Sequence, residues 1–116
     1  MKTKLPTLLI GFALLALCNS VLSADKELGI QELSLTLKAH RFEPSELKVA
    51  ANRRIRLTVH NQDTTPEEFE SATLKREKII APGAKAMLLI GPLKPGRYEF
   101  VGEYHADTAK GVLVAE

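Results

Sequence analysis

Sulfur is nearly missing from this chain: it has one cysteine and two methionines in 116 residues. The cysteine is Cys18, close to the start, so the rest of the chain can make no disulfide and no thiolate-based metal site. Tryptophan is absent and aromatics make up 5% of the residues. A nucleic-acid surface wants a basic stripe with interleaved aromatics, and neither is visible. The basic stretches Arg53-Arg54-Ile55-Arg56 and Lys75-Arg76-Glu77-Lys78 alternate with apolar or acidic residues, as solvated strand faces do. There is no Gly-rich phosphate loop, and no serine is followed by a recognisable base, so no catalytic nucleophile is assigned.

Long apolar runs are also lacking. The longest, residues 8–18, is broken only by Gly11, and a membrane anchor needs roughly 18 or more apolar residues. Lys2 and Lys4 precede this run, and the small-residue stretch Ser20-Val21-Leu22-Ser23-Ala24 follows it, leading into Asp25-Lys26-Glu27. That order describes a cleaved secretory signal over residues 1–24, with cleavage after Ser23 or Ala24. Leu17 stands where lipoprotein processing at Cys18 would need a small residue. The expected mature domain is residues 25–116, exported and not membrane-spanning. Its charge is balanced, because removal of Lys2 and Lys4 takes the 16 basic side chains down to the number of acidic ones, 14.

What is present is period-two patterning. Leu33, Leu35 and Leu37 alternate with polar residues, as do Ile55, Leu57 and Val59. Leu47 and Val49, Phe69, Ile79-Ile80, residues 87–90, Tyr98 and Phe100, and residues 111–115 mark further extended segments. Turn signals such as Ala51-Asn52, Pro82-Gly83 and Gly91-Pro92-Leu93-Lys94-Pro95-Gly96 separate them. About seven or eight strands at this spacing, with no convincing amphipathic helix, predict an all-β sandwich. Met87 reads as a core residue, His60 as solvent-facing, and His40 beside Arg41 as structural.

Two loops carry ligand-type side chains at strand ends. One runs from Asn61 through Pro66 to Glu67, Glu68, Phe69 and Glu70; the other holds Gly102, Glu103, Tyr104 and His105 and continues past Asp107 to Gly111. With Phe69 inward, parity points Glu67 inward and puts Glu68 and Glu70 on the opposite face. Glu67 could then meet Glu103 and His105 at one end of the sandwich. Carboxylates with an imidazole suit iron, manganese or Cu(II) better than Cu(I). As a bland alternative, the glutamates form a solvated strand edge and Asp63 and Asp107 are turn residues.

The run Tyr98-x-Phe100, then His105, then a Gly-Val-x-Val strand resembles the C-terminal copper loop of cupredoxins. Residues 61–67 are similar to the earlier, Asn-rich loop of that family, and the likeness extends over residues 30–116 and implies a cupredoxin-like Greek-key β-sandwich. The family's cysteine falls on Gly102, its first histidine on Glu67 (or Glu68 if the register slips by one), and no methionine lies between His105 and Gly111. A blue-copper centre, which depends on the thiolate and two imidazoles, is therefore argued against. The sets Glu67-Glu68-Phe69-Glu70 and Gly102-Glu103-Tyr104-His105 look like the periplasmic cupredoxin-like components of bacterial ferrous-iron permease systems.

That resemblance implies a periplasmic protein binding Cu(II) or iron through Glu67 or Glu68, Glu103 and His105. It also implies service to an inner-membrane iron permease and other iron-uptake proteins, with participation in Fe(II) oxidation rather than a stand-alone enzymatic activity. Two alternatives stand beside it: a metal-free β-sandwich docking on an exported partner, and a periplasmic copper-binding or delivery protein.

Overall fold

The computed structural model describes residues 29–116. The expected signal over residues 1–24, and its boundary with the domain, lie outside the described residues. Within them, nine strands run in the order β1 (Gln31–Lys38), β2 (Arg41–Glu43), β3 (Glu46–Val49), β4 (Ile55–Asn61), β5 (Glu67–Ser71), β6 (Arg76–Ile80), β7 (Lys85–Ile90), β8 (Gly96–Gly102) and β9 (Lys110–Ala115), with one 3-10 turn over Glu103–His105. No helix among the described residues is long and apolar enough to cross a membrane.

The strands form two sheets, ordered β2-β1-β4-β7 and β3-β9-β8-β5-β6. β1 runs parallel to β4 and β3 parallel to β9, whereas the other pairs are antiparallel. Sequence neighbours thus often lie apart in the sheets, as in a Greek-key sandwich. The extra strand relative to the sequence expectation is β2, a three-residue piece folded back on β1.

The alternation read in the sequence becomes the core. Leu35 and Leu37 from β1, and Ile55, Leu57 and Val59 from β4, are buried on one sheet; Phe69, Phe100 and Leu113 face them from the other. Three phenylalanines lock the layers near the end where β5 begins. Phe100 has ring centroids 5.2 Å from both Phe42 and Phe69, edge-on to the first and stacked on the second. Full burial of each such side chain contributes about 1.5–3 kcal/mol.

The expectation for Met87 is corrected. Met87 and Leu89 are 54% and 55% exposed, while Leu88 and Ile90 between and beside them are buried. A continuous apolar run reads as a strand covered on both faces. β7 is instead an edge strand of a sheet covered on one face only, so alternate side chains turn outward whatever their polarity.

Candidate metal centre

Three connections meet at one end of the sandwich: the β1–β2 turn, the β4–β5 loop and the segment between β8 and β9. The β1–β2 turn has two residues, Ala39 and His40, between the paired Lys38 and Arg41. Both are left-handed, with φ of 52° and 56°. Two-residue hairpins demand this geometry and usually take Asn-Gly for it; for side chains with a Cβ it costs about 1–2 kcal/mol per residue.

Asp63 offsets that strain. Its Oδ1 accepts from the Ala39 amide at 2.6 Å and its Oδ2 from the His40 amide at 2.9 Å. Burial alone would raise the Asp63 carboxyl. The two amide bonds and the nearby His40 and His105 imidazoles outweigh it and hold the pKa below the ordinary value. Asp63 is itself set by the fully buried Asn61, whose Oδ1 accepts from the Asp63 amide at 3.0 Å. The Asn61 Nδ2 donates to the carbonyls of Thr65 and Ile80. From the far segment, the Thr108 hydroxyl donates to the His40 carbonyl at 2.6 Å.

Glu67 opens β5 on its inward parity and is 1% exposed. Its Oε1 accepts from the amides of Tyr104 (2.8 Å) and Glu68 (3.0 Å), and its Oε2 lies 2.6 Å from Nδ1 of His105. The His105 ring stacks on that of His40, with centroids 3.6 Å apart and planes 12° from parallel. His40, Glu67 and His105 each offer a ligand atom, and these atoms all lie within 4.8 Å of one another.

Of the residues expected from the sequence, Glu67 and His105 are brought together. Glu68 and Glu70 lie on the outward parity of β5. Glu103 is exposed, and its carboxyl hydrogen-bonds that of Glu70. This contact raises the Glu70 pKa, helped by burial and by the negative charges of Glu103, Glu77 and Glu68. These glutamates form an acidic patch on the outward side of β5. His40, read from the sequence as structural, completes the triad. The available signal was local: a two-residue turn built from Ala-His, with neither glycine nor asparagine, is held against its propensity, and such strain gathers at functional sites.

The donor set suits a cation. The Nδ1 of His40 is a buried ring nitrogen without a hydrogen bond; Asp63 Oδ2 is 3.3 Å away but poorly aligned. Two imidazoles and a carboxylate match Cu(II) or Fe(II), and the absence of thiolate and thioether argues against Cu(I).

Residues 8–115 match the model of the cupredoxin-like domain. An uncharacterized protein of Rickettsia prowazekii (strain Madrid E) is 46% identical over 86 residues, spanning 74% of this chain and 69% of that one. Among solved structures, the metal-binding domain of the Cu(I)-exporting P-type ATPase CopA of Streptococcus pneumoniae D39 superposes with a TM-score of 0.65 at 17% identity, over 76% of this chain and 87% of that one. Auracyanin A, a "blue" copper protein of Chloroflexus aurantiacus, gives the same TM-score at 12% identity, over 76% of this chain and all of that one. With its sandwich and its three site loops in place, the chain belongs to the cupredoxin-like domain family.

Proposed function

We propose that the chain is an exported, periplasmic protein that binds Cu(II) or iron at His40, Glu67 and His105 and serves iron uptake. The observation that carries this reading is the buried Glu67 carboxylate, in contact with His105 and, among the described residues, with no lysine or arginine to neutralise it. The Tyr104 and Glu68 amides hold this carboxylate in place, and its ligand atom lies within 4.8 Å of those of His40 and His105, as a shared cation requires. Bound copper would supply a one-electron acceptor, the chemistry wanted for helping Fe(II) oxidation ahead of a permease. The protein's share is positional: Glu67 favours the higher charge state, Asp63 and Thr108 hold His40, and the half-exposed His40 edge leaves an approach for a second ion.

The test is titration of the purified, chelator-treated protein with Cu(II), Fe(II) and Fe(III), followed by spectroscopy and calorimetry. One equivalent bound, and lost on joint replacement of Glu67 and His105, is the expected result. Absence of stoichiometric binding of any of the three ions would overturn the reading. The exposed Met87, Leu89 and Ile79 side chains favour a second reading, a sandwich that docks on an exported partner without metal. That reading predicts undiminished partner binding after chelation.

A further inference from the structure

Gly102 has no conformational reason to be glycine. Its φ of −91° and ψ of 105° are ordinary extended backbone that any residue adopts. Space is the reason. A Cβ built on Gly102 would lie 2.6 Å from Cδ and 2.9 Å from Oε2 of Glu67, and 2.8 Å from the Ala109 Cβ. None of these neighbours can readily withdraw. The Gly102 amide donates to the Ala109 carbonyl at 2.8 Å, and Gly102 pairs with Phe69 across β8 and β5. The Glu67 carboxyl is pinned by the amides of Tyr104 and Glu68 and by His105.

We propose that Gly102 is the positioning residue that selects a carboxylate centre: any side chain at 102 and an inward glutamate at 67 exclude each other. The selection extends to ligand class. A cysteine at 102 cannot coexist with the Glu67 carboxylate in its observed place, so a thiolate at this position and the Glu67 oxygen donor exclude each other. Hard and borderline cations follow from that choice, and Cu(I) is disfavoured. The metal part of this inference rests on the proposed centre, whereas the steric part does not.

The experiment is a double-mutant cycle of Gly102→Ala and Glu67→Ala on the full folded domain, read as thermal unfolding in chelator and as Cu(II) titration with electron paramagnetic resonance. In chelator, Gly102→Ala should lower the melting temperature at least about twofold more with Glu67 present than in the Glu67→Ala background. An equal drop in both backgrounds would overturn the steric claim. So would failure of both Gly102→Ala variants to fold, since that assigns the glycine to Ala109. On the metal side, Gly102→Ala should weaken Cu(II) binding roughly 10–100-fold and alter the resonance spectrum, as loss of a positioning contact does. Unchanged affinity and spectrum would overturn the selection of donor. Wild-type protein that binds no Cu(II) would remove the metal reading alone, leaving the chelator cycle to decide the exclusion.

Discussion

The imidazole of His40 lies flat on that of His105, although the two residues come from opposite ends of the described chain. Neither ring is a core residue: their side chains are 41% and 27% exposed. Stacked imidazoles at a rim have little to contribute to packing and much to offer an ion between them and Glu67.

Replacement of His40 by alanine should therefore separate binding from stability. The expected outcome is a large loss of Cu(II) affinity in calorimetry with a melting temperature within a few degrees of wild type, about the effect of a surface change of under 0.5 kcal/mol. A wild-type titration curve for this variant would remove His40 from the centre.

Asp63 acts on the metal through His40. Asp63→Asn keeps an acceptor for one of the Ala39 and His40 amides but not for both. Metal affinity should fall roughly 10–100-fold, less than on loss of His40 itself. Equal losses for the two variants, measured in one competition assay, would contradict the order.

The outer carboxyls give a pH signature. Glu70 keeps its proton to higher pH in the folded domain than its ordinary value of 4.5, chiefly through the hydrogen bond with Glu103. Between 4.5 and the raised value the folded state holds more protons than the unfolded one, so stability falls as pH rises through that window and then levels off. Glu70→Gln should flatten this fall, and added salt should shrink the difference because the neighbouring charges of Glu103 and Glu77 are exposed. Urea unfolding from pH 4 to pH 7 measures both.

The aromatic cluster predicts the largest cost. Phe100→Ala removes the ring that touches both Phe42 and Phe69 and should destabilise the domain by about 3–5 kcal/mol in denaturant unfolding. A value under about 1 kcal/mol would mean that the cavity collapses freely.

Much of the sandwich was legible because its sheets obey period two: Leu35 and Leu37, and Ile55, Leu57 and Val59, are apolar on the buried parity and polar between. Glu67 was legible for the same reason, as the inward parity fixed by Phe69 passes through it. His40 was not. Its role depends on a left-handed turn and on a ring far along the chain, and neither leaves a periodic mark. Glu103 was drawn inward by its closeness to His105, but in the 3-10 turn adjacent residues point in different directions, and its carboxyl meets Glu70 instead. Met87 escaped because an apolar run does not say which strand lies at a sheet's edge.

The Thr108 hydroxyl already ties the last connection to His40, 68 positions earlier. An ion shared by His40, Glu67 and His105 would do the same with far greater strength, closing one long loop and a shorter one inside it. In a described domain that has no cysteine to cross-link, such an ion would act as a removable staple, stabilising the folded chain by mass action, by about 2.7 kcal/mol when the free ion stands at roughly 100 times Kd. Metal supply in the surrounding compartment would then set the lifetime of the fold as well as the occupancy of the site.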